Sequence, residues 1–114
     1  MGAVEVSPVA VARAAAAAAM RTPEVVDLHS GVAGEFATYG GGQRVAGVRL
    51  RRREPPVRLE VRVMARYGRP LHEVAAEVRD NVLADLSETL PDEPPATVDV
   101  RVADLVFPAS GDES

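Results

Sequence analysis

The chain has 114 residues, the length of one compact domain, and it contains no cysteine. The missing thiols exclude disulfides, thiolate catalysis and cysteine-based zinc or iron–sulfur sites. Apolar residues make up 46% and charged residues 26%, as in an ordinary folded protein, and with only two Phe and two Tyr the core must consist mainly of Val, Leu and Ala.

Charge is unevenly distributed along the chain, whose formal net charge is -4. Residues 49–66 hold seven Arg against two Glu, whereas residues 85–114 hold eight acidic residues against one Arg. We therefore expect a positive face and an acidic end. All thirteen basic residues are Arg, and together with abundant Ala and Val this bias is typical of a GC-rich, for example actinobacterial, genome.

The first predicted element is a helix over residues 8–21. Ser7 can cap it, Pro8 fits its first turn, and Pro23 ends it. Its alanine-rich run is too short to cross a bilayer and contains Arg13, so we predict neither a transmembrane helix nor a signal peptide. Any membrane role would then depend on a partner.

Four strands are predicted next. Residues 25–29 and 35–39 flank a glycine-containing loop, and we expect them to form a hairpin. A glycine turn leads into a third strand, residues 44–53, which ends before Pro55. The clearest strand, residues 57–67, alternates apolar and polar side chains, which indicates one buried face and one solvated face.

A second helix begins at Pro70, and its apolar residues keep helical spacing as far as Leu90. After a proline-rich acidic connector, Val98, Val100 and Val102 alternate with charged residues and predict a last strand. A strand, a helix and a strand in succession form a crossover connection. The two strands should therefore run parallel if they are neighbours in the sheet.

These elements predict an α+β domain with a small mixed β-sheet and two helices packed on one face, in the order helix, strands, helix, strand. We expect a flexible N-terminus at residues 1–6, one domain at residues 7–107 and a disordered acidic tail at residues 108–114. The order of the strands within the sheet does not follow from the pattern.

The outer face of this sheet is the candidate partner-binding surface. In residues 57–67 the side chains alternate, which buries the valines on one side and places arginines on the opposite side. Residues 44–53 have the same alternation, and the two strands together place six arginines on that side. They are Arg49, Arg51, Arg53, Arg58, Arg62 and Arg66. Gathered guanidinium groups suit carboxylates or phosphates, because each offers a planar fork of donors. The alternative is a solvated face whose arginines pair with neighbouring acids such as Glu60.

We predict no catalytic, cofactor-binding or metal-binding residues. The two histidines, His29 and His72, do not form a familiar metal-ligand pair with a carboxylate, and no nucleophile or phosphate-loop motif is present. Nucleic acid is disfavoured as a partner because the chain is acidic and we expect no aromatic residue among the arginines. A small RNA-associated protein that uses the arginine face is kept as the alternative function.

Residues 59–82 resemble the signature of the alkaline shock protein family, a valine strand ending in Tyr-Gly and followed by a patterned helix. The matching residues are Tyr67, Gly68, Leu71, Glu73, Val74, Ala75, Val78, Arg79 and Val82. The alanine-rich first helix and the last valine strand follow the order of the family, so the resemblance covers most of residues 5–105. One departure is Val25-Val26, where relatives often have Gly-Val.

The resemblance implies a non-enzymatic, cytoplasmic stress-response protein of Gram-positive-type bacteria with a role in cell-envelope homeostasis. As partners it implies a separate small membrane-anchoring protein and further copies of the same chain, in a homo-oligomer, with no small-molecule substrate and no cofactor. We therefore expect a membrane-proximal adaptor or scaffold that lies at the inner face of the cell membrane through its partner and does not insert into the bilayer itself.

Overall fold

The computed structural model describes residues 6–108, which form two helices and six strands. In chain order these are α1 Pro8–Ala19, β1 Val25–Leu28, β2 Ala37–Gly40, β3 Gln43–Ala46, β4 Val48–Arg52, β5 Arg58–Arg66, α2 Leu71–Thr89 and β6 Thr97–Val106. The predicted α+β class and the order helix, strands, helix, strand are confirmed. The expectations for the flexible N-terminus and the acidic tail fall, apart from Val6 and Pro108, outside the described residues.

Strand β5 is the centre of a mixed sheet. It pairs with β6 in parallel along its whole length, from Arg58 opposite Thr97 to Arg66 opposite Val106, with one register shift that leaves Ala103 of β6 as an extra residue. Its other edge pairs in antiparallel fashion with β4 at one end and with β1 at the other. The parallel arrangement of β5 and β6 agrees with the expectation for two neighbouring strands joined through a helix.

The predicted hairpin between residues 25–29 and 35–39 is wrong. β1 pairs with β5, and β2 pairs instead with β3, closing with Gly40 opposite Gln43. The two residues between them, Gly41 and Gly42, have positive φ angles of 57° and 76°. Two such residues make the tight turn that suits the right-handed twist of a hairpin, so this local turn determines which strands pair.

Gly47 divides the predicted third strand, residues 44–53, into β3 and β4. Its φ is +79°, and a Cβ atom there would lie 2.6 Å from the Cβ of Leu28 and 3.0 Å from the carbonyl oxygen of Arg62. Its own N–H donates to the carbonyl of Phe36, and its carbonyl accepts from the N–H of Arg62. Only glycine fits this close approach. At Gly47 the chain leaves the hairpin of β2 and β3 and enters the main sheet as β4.

The core lies between the sheet and the two helices. One face of β5 contributes Leu59, Val61, Val63 and Ala65, all almost completely buried. The helix residues that cover it are Val11, Ala12, Ala15, Ala18 and Ala19 of α1 and Val74, Val78, Val82 and Leu86 of α2. Small alanine side chains let α1 lie close to the sheet, and each fully buried valine or leucine contributes about 1.5–3 kcal/mol.

Side-chain hydrogen bonds hold the helices in place. The hydroxyl of Ser7 accepts from the N–H of Ala10 at 3.1 Å, which is the predicted N-cap of α1. At the other end, the side chain of Asn81 on α2 donates to the buried hydroxyl of Thr22 at 2.9 Å. Neither α1 nor α2 combines the length and the apolar character that crossing a bilayer requires.

Candidate partner-binding face

The side of the sheet opposite the helices, which we call the outer face, carries five of the six predicted arginines. Arg58, Arg62 and Arg66 alternate along β5 with the buried residues. Arg49 on β4 lies opposite Glu60, and Arg51 reaches the same carboxylate. The register of β4 and β5 therefore brings these five guanidinium groups to one surface.

The expected position of Arg53 on this face is wrong. It follows β4 and turns towards the other end of the domain, where its Nη1 lies 3.2 Å from the carboxylate of Glu93. Its Nε and Nη2 donate to the carbonyl oxygen of Val6 at 3.2 and 3.1 Å. The cause is a register shift between Leu50 and Arg52, which ends the simple alternation on which the prediction relied.

The same irregularity brings Arg52, which the sequence pattern missed, to a position opposite Arg58. Without it, Arg51 would follow Leu50 in register and take that position. Arg52 and Arg58 are both exposed, and like charges directly opposite each other in an antiparallel pair are destabilising. The run Arg51-Arg52-Arg53 was a possible signal of this irregularity, because three successive side chains cannot all point to the same face of a regular strand.

Glu60 is the centre of a charge network on the outer face. Its carboxylate lies 2.7 Å from Nη2 of Arg51, 3.3 Å from Nε of Arg62 and 3.9 Å from Nε of Arg101. Its side chain is only 14% exposed. Burial opposes the charged form, but the hydrogen bonds from Arg51 and Arg62 outweigh it and hold the pKa of Glu60 below its ordinary value. Arg51 and Arg62 are thus largely committed to Glu60.

Phe36 lies on the outer face beneath two guanidinium groups. The Cζ atoms of Arg62 and Arg49 are 3.9 and 4.7 Å from the centre of its ring, within range of cation–π attraction. The ring is 1% exposed, so it offers no surface for stacking. The expectation of no aromatic residue among the arginines is therefore wrong, because the loop before β2 folds back over the sheet, a tertiary contact that strand patterns do not contain.

Three outer-face arginines have no carboxylate within 4.0 Å in the part of the chain that the structure describes. Arg49, Arg52 and Arg66 each donate instead to a backbone carbonyl, of Glu35, Glu54 and Pro23 respectively. Among residues 6–108, the carboxylate nearest to Arg58 is that of the exposed Asp99, at 4.0 Å. A solvated pair of this kind is worth little, so much of the positive charge of the face is available to an external anion.

An exposed aromatic pair lies at one end of the face. Tyr67 and Phe107 follow β5 and β6, are 61% and 63% exposed, and stack with their ring centres 5.0 Å apart. They adjoin Arg66, which borders the same shallow depression. The sequence did not reveal this contact, because it depends on the parallel pairing that brings the ends of the two strands together.

The histidines do not contribute to the outer face as ligands. His29 accepts a hydrogen bond at Nδ1 from the N–H of Gly31, 3.3 Å away, within a turn. His72 is exposed near the start of α2. Over residues 6–108, no three side chains of His, Asp or Glu gather in a way that could hold a metal ion. The donors that the outer face offers are the guanidinium groups of its arginines.

Comparison with known proteins places the chain in a family. The model of the alkaline shock protein family, described by a cell envelope-related function, matches residues 1–107. No curated protein shows a significant match. A solved MamM-CTD structure has 15% identity over 86% of this chain and 100% of that chain, with a TM-score of 0.48, a likeness too distant to bear on function. Because the family model spans nearly the whole sequence, the protein belongs to the alkaline shock protein family.

Proposed function

We propose that the protein is a non-enzymatic adaptor or scaffold of the cell envelope. In this role it binds an acidic segment of a separate, membrane-anchored protein through its outer face, and it associates with further copies of itself. The partner holds it at the inner face of the cell membrane. The family has a cell envelope-related function, and the observation that carries the finer proposal is the pair of exposed arginines, Arg52 and Arg58, directly opposite each other.

A carboxylate bound between these two arginines would remove their mutual repulsion. Each guanidinium can donate two parallel hydrogen bonds to a carboxylate, a geometry that lysine cannot match. Arg49 and Arg66 extend the available charge along the face, since neither has a carboxylate partner within the described residues. An acidic peptide that lies across the sheet could therefore accept hydrogen bonds from several arginines that, in the described structure, donate only to backbone carbonyls.

An acidic protein segment suits this surface better than RNA. The ring of Phe36 is covered by Arg49 and Arg62. The exposed rings of Tyr67 and Phe107 lie at the end of β5 away from Arg58, so they offer no stacking surface beside the arginine pair. Single-stranded RNA gains much of its affinity from bases that stack on open aromatic faces.

The test is a cross-linked pull-down of the tagged protein from its native cells, with recovered proteins and nucleic acid both quantified. Arg58→Glu is compared with Arg79→Glu on α2, a matched control. The two arginine side chains are 58% and 50% exposed, and each lies 4.0 Å from one exposed aspartate. We expect Arg58→Glu to lose a membrane-protein partner that the wild type and Arg79→Glu both retain.

Two results would count against the proposal. Equal recovery of the membrane protein with Arg58→Glu and Arg79→Glu would exclude this face as the site. Recovery of RNA in place of a membrane protein, with loss in Arg58→Glu and a steep decrease as salt is raised, would establish the RNA-associated alternative.

A further inference from the structure

Strand β6 has a long edge that pairs with no other strand within residues 6–108. It runs for ten residues, Thr97–Val106, and is bonded to β5 along one edge only. No proline interrupts it. A register shift at Ala103 interrupts its pairing with β5, and before that point Thr97–Val102 is a regular edge that can serve as a template for another strand. We infer that a second copy of the chain pairs with it in antiparallel fashion around Val100, which specifies the self-association within the proposed function and does not depend on the arginine face.

The backbone directions define which residues can pair. The N–H of Thr97 donates to the carbonyl of Val57 at 2.8 Å, so Thr97 points its backbone groups towards β5. Successive residues of a strand point to alternate edges. Val98, Val100 and Val102 therefore direct their N–H and C=O groups away from β5, where a second strand can meet them.

Charge then selects the register. With Val100 opposite itself, Val98 of one copy faces Val102 of the other in a hydrogen-bonded pair. The same register places Asp99 of each copy opposite Arg101 of the other, so the two-fold axis creates two ion pairs. Moving the strands by two residues in one direction places Asp99 opposite Asp99, and in the other direction Arg101 opposite Arg101. Both neighbouring registers are therefore disfavoured.

The side chains at this edge have the exposure that such an interface needs. Asp99 and Arg101 are 66% and 68% exposed, so they can reach across to another chain. On the inner side of the edge, Val100, Val102 and Leu83 of α2 pack against the core but stay only partly buried. A two-fold axis perpendicular to the sheet would place both α2 helices on the same side and cover these apolar groups.

The test measures the association of the purified chain by analytical ultracentrifugation over a range of concentrations. We expect the wild type to form a dimer or larger assembly. Asp99→Arg places like charges opposite Arg101, and Arg101→Asp places like charges opposite Asp99, so each single variant should lose the association. The double variant, Asp99→Arg with Arg101→Asp, should regain it. The two single variants, once mixed, should form a hetero-pair because their charges become complementary.

A cysteine probe tests the register independently of the charge variants. The chain has no cysteine, so Val100→Cys introduces a single thiol that should meet its own copy and form a disulfide on mild oxidation. Ala103→Cys, on the same strand, would lie opposite Thr97 in this register and should not cross-link.

The inference would be overturned by a wild type that stays monomeric, by single variants that associate like the wild type, or by cross-linking of Ala103→Cys in preference to Val100→Cys. These measurements use the purified chain without its partner, so they remain separate from the pull-down of Arg58→Glu. Loss of association would leave the partner-binding proposal intact, and the reverse also holds.

Discussion

Arg52 and Arg58 face each other across the antiparallel register of β4 and β5. The described part of the chain places no carboxylate within 4.0 Å of Arg52, which donates only to the carbonyl of Glu54. Two like charges in this position weaken the strand pairing. Such a repulsion is expected at a surface that binds an anionic partner. A substitution that removes it should raise the stability of the free protein but weaken binding of the partner.

Arg52→Glu should therefore raise stability while it weakens partner capture. The new carboxylate would lie opposite Arg58 and replace a repulsion by an attraction, for a gain of about 0.5–1 kcal/mol in the free energy of unfolding. Urea denaturation measures this change, with Arg79→Glu as the control that should show no gain. A variant that is less stable than the wild type would contradict the cross-strand repulsion.

Glu60→Gln should destabilise the protein by about 1–3 kcal/mol at neutral pH, because it removes the charged acceptor shared by Arg51 and Arg62. The pKa of Glu60 is lowered by the fold, so its contribution is complete above the unfolded value, roughly 4.3, and is lost as the pH falls through the folded value. The variant should lose less stability than the wild type on acidification. Parallel pH profiles of unfolding would count against Glu60 as the centre of the network.

Phe36→Leu separates cation–π attraction from simple burial. Leucine keeps an apolar side chain beneath Arg49 and Arg62 but loses the ring, so we expect a cost of about 1–2 kcal/mol. Phe36→Ala also removes most of the buried area and should cost about 3–5 kcal/mol. Denaturation of both variants gives the comparison, and a leucine variant as stable as the wild type would mean that the two arginines add nothing through the ring.

Gly47→Ala should be more destabilising than Gly42→Ala, although both glycines have a positive φ, +79° and +76°. An alanine Cβ at position 42 has nothing within 4 Å, so only backbone strain of about 1–2 kcal/mol is expected there. At position 47 the Cβ would meet Leu28 at 2.6 Å, and the sheet must shift in addition. Thermal unfolding of the two variants tests this, and equal losses would argue against the close approach.

The regular parts of the fold could be predicted from the sequence, because periodicity records burial directly. The alternation along β5 and the apolar stripe of α2 indicated one buried face each, and a helix between two strands indicated their parallel pairing. The choice of hairpin could not be read in the same way. It depends on the turn at Gly41 and Gly42, whose positive φ angles favour a tight hairpin between β2 and β3. The predicted hairpin needed a longer loop between residues 25–29 and 35–39.

The candidate site was less predictable than the fold, because its details depend on contacts between distant segments. A register shift in β4 moved Arg53 off the outer face and brought Arg52 opposite Arg58. Phe36 lies under the arginines because its loop folds back across the sheet. A lone glycine within a predicted strand, Gly47, was a usable signal of such a close approach.

Photo-cross-linking in living cells tests most directly whether the outer face contacts a membrane-anchored partner. A photoreactive amino acid replaces Thr97 in one strain and Arg79 in another. Thr97 is exposed and lies beside Arg58 in the sheet, so both arginines of the proposed site are kept, whereas Arg79 is exposed on α2. We expect a discrete adduct with a membrane protein from position 97 and none from position 79. No adduct from position 97, or the same adducts from both positions, would contradict the proposal.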